Sequence, residues 1–317
     1  MNILILGGAG FVGSNLVRRC LKEPGNNLLV VDSLDPRLKS TTAHLKRVWP
    51  KIEFIKGDLR DASLMKKVVQ KKDVIFNCAA QTSHPLSLTD PFFDVEVNCL
   101  GNLTLLEAVK KYNKKALVIY PSSSTVIGRS SEKAVDETHV ERPLDIYSAN
   151  KSVAEKYYRI YNRVHDLNTL SIRFANLYGP YGKGYPEFGF INYFIARAFD
   201  GKEIPIYGDG NQKRNIMYIE DAAELLYQCI SHQDIFGHVY FAVHREHHPV
   251  IDIAKEIVSV YGKGKIKKVA WPDVRKRIEI NNVAISGAKL YNHIPYKPKY
   301  RLREGLERTK KIMETVI

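Results

Sequence analysis

A tyrosine and a lysine four residues apart, Tyr147 and Lys151, are well suited to acid–base chemistry. The residues that follow are typical of a helix, and a spacing of four places both side chains on one face, a turn apart. A neighbouring ammonium favours the phenolate, so we expect Lys151 to lower the pKa of Tyr147 toward a range useful for proton abstraction. The pattern therefore indicates a base that removes a proton from a substrate.

The spacing alone is not specific, because Tyr261 and Lys265 repeat it with glycines between them, which predicts a turn. The first pair differs in what precedes it: an apolar run followed by three serines, Ser122 to Ser124. One of these hydroxyls is expected to hold a substrate hydroxyl and share its proton with Tyr147. The alternative is that the serines satisfy the backbone of a turn, and different serines can serve both purposes.

A glycine-rich segment near the start of the chain predicts a phosphate-binding turn. It reads as G-x-G-x-x-G with Gly8, Gly10 and Gly13, or as G-x-x-G-x-x-G with Gly7 as the first glycine. The segment follows an apolar strand and precedes a helix pattern, so its backbone can approach a pyrophosphate at a helix N-terminus. This context on both sides makes a dinucleotide site the favoured interpretation.

The identity of the dinucleotide is indicated by Asp32, which ends the second predicted strand, 19 residues after Gly13. A carboxylate there accepts a hydrogen bond from a ribose 2′-hydroxyl and repels a 2′-phosphate, which favours NAD over NADP, although Arg37 lies nearby. A flavin or a nonredox nucleotide on the same scaffold is the alternative. Asp58 is a candidate partner for the adenine amino group or, alternatively, a helix N-cap, a role that Asp61 fills equally well.

The elements that must position these residues alternate between short apolar runs and amphipathic stretches, which predicts a parallel sheet with helices on both faces. The predicted strands are Ile3–Leu6, Leu28–Val31, Ile52–Ile55, Val74–Asn77, Ala116–Tyr120 and Thr169–Phe174. We therefore expect an α/β fold: a Rossmann doubly wound parallel sheet with a smaller C-terminal α/β substrate domain. The expected boundaries are residues 1–175, with return segments near 216–245, and residues 176–317. In such sheets ligands bind beyond the carboxyl ends of the strands.

Together these motifs resemble the extended short-chain dehydrogenase/reductase family, specifically its nucleotide-sugar epimerases and dehydratases. In chain order they are Gly7–Gly13, Asp32, Gly57–Asp61, Asn77–Gln81, Ser122–Gly128, Tyr147 with Lys151, Arg173–Pro180 and Gly208–Arg214. The ordered set covers nearly the whole chain. It is highly specific for the family and much less specific for the substrate.

The resemblance implies roles for particular residues. Ser123 takes the catalytic hydroxyl position, in contact with substrate, Tyr147 is the base, and Lys151 binds the nicotinamide ribose and tunes the tyrosine. The residues expected to bind NAD are Gly7, Gly10, Phe11, Val12, Gly13, Asp32, Asp58, Leu59, Ala79, Ala80, Asn98, Tyr147 and Lys151. The residues expected to bind the nucleotide part of the substrate are Asn176 and Arg214 at the diphosphate, Tyr207 near the base, and either Arg275 or Arg277 as a second diphosphate cation.

Departures from the family pattern narrow the expected reaction. Members that eliminate water carry Asp-Glu after the hydroxyl residue, whereas this chain has Ser124 and Thr125. The resemblance therefore implies an NAD-dependent epimerase acting at C4 of a UDP-hexose. The alternatives are a 4,6-dehydratase, a C2 epimerase or a reductase on the same scaffold and, from a different class, a non-catalytic NAD-binding regulator. Phe190 replaces a residue, often Asn or Lys, that lies near the nucleotide in relatives, which leaves base and sugar open.

Composition excludes several other classes of protein. The net charge of +14 comes from basic pairs dispersed along predicted helices, so we expect solvated surfaces and no nucleic-acid partner. The four cysteines are far apart with no CxxC, which argues against a disulfide scaffold or a thiolate zinc site. The cluster His244–His248 lacks helical spacing, and no metal is expected. No apolar run is long enough for a membrane span, so a cytoplasmic protein is expected, and by resemblance a homodimer formed through helices near 95–111 and 147–164.

Overall fold

The structure is a computed structural model that describes residues 1–132, 134–280 and 282–316. Its strands are β1 (Asn2–Leu6), β2 (Asn27–Asp32), β3 (Glu53–Lys56), β4 (Val74–Asn77), β5 (Leu117–Ser123), β6 (Ala134–Val135), β7 (Asn168–Phe174), β8 (Asn176–Tyr178), β9 (Glu203–Tyr207), β10 (Lys213–Tyr218), β11 (Val239–Ala242), β12 (His247–Pro249), β13 (Lys265–Val269) and β14 (Ala284–Ile285). Its α-helices are α1 (Phe11–Cys20), α2 (Ala62–Val68), α3 (His84–Thr89), α4 (Pro91–Val95), α5 (Gly101–Tyr112), α6 (Ile146–His165), α7 (Phe190–Phe199), α8 (Ile219–Gln228), α9 (Val250–Tyr261), α10 (Asp273–Arg277), α11 (Ala288–His293) and α12 (Leu302–Val316). A π-helical turn, Glu96–Leu100, joins α4 to α5.

A seven-stranded sheet in the order β11-β7-β5-β4-β1-β2-β3 forms the centre of the molecule. Every neighbouring pair in it is parallel. The strand order reverses between β1 and β4, and a ligand crevice is expected at that point, beyond the carboxyl ends of the strands. The predicted Rossmann sheet is confirmed.

Apolar side chains on both faces of the central strands are covered by helices, as β1 shows. In β1, Ile3 and Ile5 pack into the same apolar cluster as α1 and α8, whereas Leu4 and Leu6 pack with α2, α5 and α6 on the other face. All four side chains have at most 1% of their surface exposed. Such continuous apolar runs are typical of parallel strands buried between two helical layers.

The later part of the chain forms smaller sheets beside this crevice. Strands β12, β10 and β8 make one of them, and β13 pairs with β9 in another. Strand β11 pairs with β7 and so extends the main sheet. The division into two domains, with boundaries near residue 175, stays a prediction.

Three features outside the sheets bear on the classes of protein considered above. All four cysteines are free. Among the described residues, no helix combines the length and apolar character needed to cross a membrane. Among these residues, no group of three or more His, Cys, Asp or Glu side chains is arranged to hold a metal ion. The segment His244–His248 belongs to the described part of the chain, and it forms no such group.

Candidate active site

The turn between β1 and α1 forms a cradle that only glycine permits. Gly7 has φ +71°, and a Cβ there would lie 2.6 Å from the Ala79 nitrogen. A Cβ on Gly13 would lie 2.3 Å from the Gly7 carbonyl oxygen. Helix α1 begins after Gly10 with no side-chain cap and no acidic residue in its first turn, which leaves backbone N–H groups and a positive dipole available for a phosphate. The cradle fits the pyrophosphate of a dinucleotide.

A cleft opens from this cradle along the carboxyl ends of β1, β2 and β4. Nine of the residues expected to bind NAD line it together: Gly7, Gly10, Phe11, Val12, Asp32, Asp58, Leu59, Ala79 and Ala80. Gly13 packs beneath the turn against Gly7. The sequence motifs therefore converge on one crevice at the switch point, which we call the cofactor cleft.

Asp32 is fixed at the floor of the cofactor cleft. One carboxylate oxygen accepts a hydrogen bond from the Ala9 nitrogen at 3.0 Å and the other from the Leu34 nitrogen at 2.9 Å. Burial raises the pKa of Asp32, although these bonds and the nearby Lys183 ammonium oppose the change. Each carboxylate oxygen keeps a free lone pair for a further donor, such as a ribose hydroxyl.

Arg37, which tempered the choice of NAD over NADP, is already paired. Its guanidinium lies 2.7 Å from an Asp35 carboxylate oxygen and stacks over the Phe93 ring at 3.5 Å. A 2′-phosphate would therefore have to compete with Asp35 for this cation. Asp58 also lines the cleft, and Arg60 donates to both of its carboxylate oxygens. The alternative role considered for Asp58, an N-cap, is filled by Asp61, which accepts a hydrogen bond from the Leu64 nitrogen.

Four of the residues expected to bind NAD are not among those that line the cofactor cleft: Gly13, Asn98, Tyr147 and Lys151. Asn98 is fully buried on the π-helical turn, where its side-chain nitrogen donates to the Gln81 carbonyl at 2.9 Å and to Asp94 at 2.9 Å. Its side-chain oxygen accepts from the Gln81 nitrogen. In this structure the polar atoms of Asn98 hold the loop after β4, and its expected contact with NAD stays a prediction.

The loop between β8 and α7, residues 179–189, contributes to two clefts at once. Lys183 and Phe188 line the cofactor cleft, and Pro186, Glu187 and Gly189 line the neighbouring one. The composition of the segment Tyr178–Pro186 is compatible either with a lid over substrate or with a plain surface connection. The structure shows that the loop lines both clefts, so it is more than a surface connection, and its action as a lid stays a prediction.

Contacts with α1 fix the β8–α7 loop in place. Asn15 donates to the Pro180 carbonyl at 3.0 Å, and the Arg18 guanidinium lies over the Tyr181 ring at 3.7 Å. Lys183 donates to the Leu38 carbonyl. Burial lowers the pKa of Lys183 to about 8, which disfavours the ammonium form, whereas the nearby Asp32 carboxylate favours it.

Tyr147 and Lys151 lie in the first two turns of α6, where Asp145 caps the helix by accepting from the Ser148 nitrogen at 2.8 Å. Their exposed fractions are only 8% and 3%. Burial raises the pKa of Tyr147, and the hydrogen bond with Ser123 only partly opposes it. The prediction that the pKa of Tyr147 is lowered is therefore wrong for this structure.

The reason is the position of the Lys151 ammonium. It donates to the Pro121 carbonyl at 2.7 Å and lies over the Tyr120 ring at 4.0 Å, rather than against the Tyr147 hydroxyl. Burial lowers the pKa of Lys151 to about 8, with Glu155 opposing. Lys151 also lies close enough to Cys78, on the wall of the cofactor cleft, for the two to interact electrostatically. It is thus placed between the cleft and the tyrosine.

Ser123 ends β5 and belongs to a small network of hydroxyl groups. Its Oγ lies 2.8 Å from the Thr125 Oγ1 and accepts from the Thr125 nitrogen, so it also caps the turn that follows. Ser148 donates to the same Thr125 oxygen at 2.9 Å. Ser123 thus satisfies the backbone of a turn, as one interpretation of the serine run predicts, and it also interacts with Tyr147. Its expected contact with a substrate hydroxyl stays a prediction.

A second cleft adjoins these residues, and we call it the substrate cleft. Residues that line it around its hydroxyl-rich part are His84, Ser124, Thr125, Ile127, Leu144, Asp145, Ser148 and Asn176. Farther along, an aromatic part is formed by Phe190, Tyr193, Phe194, Tyr207 and Trp271. Tyr207 and Trp271 have ring centroids 5.2 Å apart. The cleft therefore joins a polar compartment beside Tyr147 to an aromatic surface suited to a planar base.

Cations lie between these two parts. Arg214 and Arg275 both line the substrate cleft, whereas Arg277 does not. Arg214 is held by Glu279 and by the Ile280 carbonyl, and Arg275 donates to the Pro186 carbonyl at 3.2 Å. The structure thus favours Arg275 over Arg277 as the second diphosphate cation. Asn176 donates to the Asn215 carbonyl at 2.9 Å, which orients it in the cleft wall.

Sequence reasoning missed four residues of these clefts. Lys183 lies between two glycines in a loop, His84 and Asp145 are far apart in sequence, and Trp271 follows a short edge strand. Each reaches its cleft only through packing between distant segments. The Asp145-Ile-Tyr147-Ser148 start of a helix is the one local signal, since an aspartate there predicts an N-cap.

Comparison with known proteins is consistent with this geometry. Residues 3–240 match the model of the NAD dependent epimerase/dehydratase family. A putative UDP-glucose 4-epimerase of Methanocaldococcus jannaschii is 29% identical over 96% of this chain and 96% of the relative. The crystal structure of a UDP-glucose 4-epimerase from Thermotoga maritima with UDP-glucose has a TM-score of 0.88 at 27% identity, covering 100% of both chains. A dTDP-glucose 4,6-dehydratase from Streptomyces venezuelae with NAD bound has a TM-score of 0.89 at 26% identity, covering 99% of this chain and 97% of that one.

These relatives carry out both epimerisation and dehydration, so likeness alone does not separate the two reactions. The parallel seven-stranded sheet agrees with the fold of these solved structures. The chain belongs to the NAD dependent epimerase/dehydratase family of nucleotide-sugar enzymes.

Proposed function

We propose that this protein is an epimerase that inverts C4 of a UDP-hexose through a transient 4-keto sugar. The observation that carries the proposal is the pair of side chains after Ser123 in the substrate cleft, where Ser124 and Thr125 supply hydroxyls and no carboxyl group. Hydroxyls are far too weakly acidic to serve as the acid and base of a dehydration at neutral pH. Three carboxylates line the cleft in the described ranges of the chain: Asp145, Glu187 and Glu279. Asp145, the one near Tyr147, is occupied by Ser148 and His84. Glu279 pairs with Arg214, and Glu187 lies on the β8–α7 loop.

The redox chemistry that NAD supplies when bound is reversible acceptance of a hydride from the hydroxyl-bearing carbon. Tyr147 takes the hydroxyl proton in that step and returns it when the ketone is reduced. The phenolate is the form that takes the proton, and the neutral phenol is the form that returns it to the ketone oxygen. Burial raises the pKa of Tyr147, which favours the neutral phenol and makes the phenolate a stronger base. Ser123 orients the same oxygen, and Lys151 holds its charge between the tyrosine and the cofactor cleft.

The substrate cleft supplies the rest of the binding. We assign the base to the aromatic part near Tyr207 and Trp271, and the diphosphate to Arg214 and Arg275. With the nucleotide anchored there, the sugar lies in the polar part, where it must turn over to present its other face. We also propose that the active form is a homodimer, because exposed apolar side chains line the two helical segments expected to pair: Phe92, Val95, Leu100, Ile160 and Val164.

The test is mass spectrometry and chromatography of the product from UDP-glucose. We expect an epimer of unchanged mass and no loss of 18 Da. An acid–base group contributes about a hundred- to ten-thousandfold in rate, so Tyr147→Phe should abolish practical turnover. Tyr157→Phe, on the same helix but outside both clefts, is the matched control and should keep full activity. A Tyr147-dependent loss of water would overturn the proposal in favour of a dehydratase.

A further inference from the structure

A histidine–aspartate pair in the substrate cleft has no role in the function proposed above. The His84 Nδ1 lies 2.5 Å from an Asp145 carboxylate oxygen, and both residues line the cleft. The Asp145 side chain is 4% exposed and that of His84 is 29% exposed. The pair thus combines a buried carboxylate with an imidazole that stays in contact with the space where substrate binds.

The hydrogen bonds of Asp145 determine which nitrogen of His84 is free. One carboxylate oxygen accepts from the Ser148 nitrogen at 2.8 Å, and the other faces His84. Burial opposes ionisation of Asp145, but the hydrogen bond with His84 and its charge hold the pKa of the carboxyl below its ordinary value. An ionised carboxylate only accepts, so the proton of a neutral His84 is assigned to Nδ1. The Nε2 lone pair is then available as a base, as in hydrolases that orient a histidine through an aspartate.

The position of His84 relative to Tyr147 defines what this base can reach. The two rings pack edge to face with centroids 4.7 Å apart. If Tyr147 contacts the oxygen on C4, the neighbouring sugar carbons are one bond further away and lie beside His84. A ketone at C4 makes the hydrogens on those carbons acidic, because the charge left by their removal moves onto the ketone oxygen.

We propose that His84, oriented by Asp145, is a second acid–base group of the site and exchanges the hydrogen on a carbon next to the C4 ketone with solvent. Nε2 takes the proton, the C–H electron pair becomes the C=C bond of an enolate, and the carbonyl π pair moves onto the oxygen that Tyr147 hydrogen-bonds. The imidazolium exchanges its proton with water and returns one to the same carbon, so no oxidant or reductant is consumed. The inference rests on the proposed function for its substrate class, a nucleotide 4-keto sugar.

The experiment supplies that ketone directly. UDP-4-keto-6-deoxyglucose is incubated with the protein in D₂O, and deuterium gain is located by NMR and counted by mass spectrometry against a sample without protein. We expect the wild type to add deuterium next to the ketone, and His84→Gln to slow this exchange about a hundredfold or more. Glutamine keeps a donor toward Asp145, so the link between α3 and α6 is retained. His293→Gln is the matched control, because His293 pairs with Asp234 at 2.6 Å on the surface and lines neither cleft.

The outcomes separate this inference from the proposed function. Exchange that is lost in His84→Gln and retained in His293→Gln supports the inference. Wild-type exchange no faster than in the protein-free sample overturns it, as does exchange that persists in His84→Gln. A parallel incubation with UDP-glucose measures C4 inversion by itself: inversion without deuterium gain refutes the role of His84 and leaves the epimerase standing. Deuterium exchange of the keto sugar without C4 inversion of UDP-glucose supports the role of His84 and refutes the epimerase.

Discussion

Replacing Asp32 by asparagine tests how the cofactor cleft distinguishes NAD from NADP. Asparagine keeps the shape of the side chain but offers one acceptor oxygen in place of two. It therefore retains only one of the bonds from the Ala9 and Leu34 nitrogens, which are 3.0 and 2.9 Å long. It also removes the negative charge that faces Lys183, so the balance of charge at the ribose changes from neutral to positive.

The expected magnitudes follow from these contacts. A buried N–H left unpaired costs about 1–3 kcal/mol, and the free energy of unfolding should fall by that amount. A ribose hydroxyl donating to a neutral oxygen instead of a carboxylate loses about 1 kcal/mol, which weakens NAD binding about fivefold. A phosphate charge about 5 Å from a carboxylate is repelled by about 3 kcal/mol at an effective dielectric constant near 20, so NADP should bind about a hundredfold more tightly to Asp32→Asn than to the wild type.

The assay is calorimetric titration of nucleotide-free protein with NAD and with NADP, together with urea unfolding of each variant. Asp61→Asn is the control, since Asp61 does not line the cleft and only caps α2, a role that asparagine fills equally well. Its ratio of NADP to NAD affinity should change much less. If the ratio for Asp32→Asn equals that of the wild type, Asp32 does not face the ribose, and the assignment of the cleft is refuted.

Three further changes test other parts of the structure. Lys183→Met removes a charged donor from the cofactor cleft and should weaken NAD binding about tenfold or more. Gel filtration should then separate NAD from the variant, whereas NAD that stays bound as in the wild type would contradict a role of Lys183 in binding. Gly13→Ala should abolish NAD binding and lower the melting temperature, because the added Cβ would lie 2.3 Å from the Gly7 carbonyl oxygen. NAD binding at wild-type affinity would show that the turn between β1 and α1 moves to accommodate the Cβ. Leu100→Glu with Val164→Glu, at side chains 52% and 63% exposed, should shift the light-scattering mass from a dimer to the 36.1 kDa chain, whereas an unchanged mass would place the interface elsewhere.

Strands such as β1 and β4 were predictable because they are buried on both faces and consist largely of apolar residues. The predicted strand Val74–Asn77 matches β4 fully, and the prediction for β1 differs by one residue at its start. The glycine cradle was predictable for a different reason: close backbone approach is encoded locally, in the absence of a Cβ. A backbone requirement of this kind is visible in the sequence as glycines at a fixed spacing.

The smaller sheets and the walls of the clefts were not predictable in the same way. Strands β9 and β13 are only partly buried, and charged residues such as Lys267 and Lys268 interrupt the apolar pattern of β13. Lys183 reaches Asp32, and His84 reaches Asp145, through packing of segments distant in sequence. The lowered pKa expected for Tyr147 failed for a related reason. Spacing on a helix places Lys151 on the right face but does not show that its ammonium bonds to Pro121.

The β8–α7 loop bears on how long each protein molecule keeps the cofactor that it has bound. Because the loop walls the cofactor cleft and is tied to α1, nucleotide can enter or leave only when those contacts break. An epimerisation consumes and produces no reducing equivalents, so there is no catalytic reason for them to break during turnover. If the protein is the epimerase proposed above, a molecule that has bound NAD therefore keeps it through many turnovers. The specific activity of a preparation would then depend on how much NAD the protein carried when it was purified.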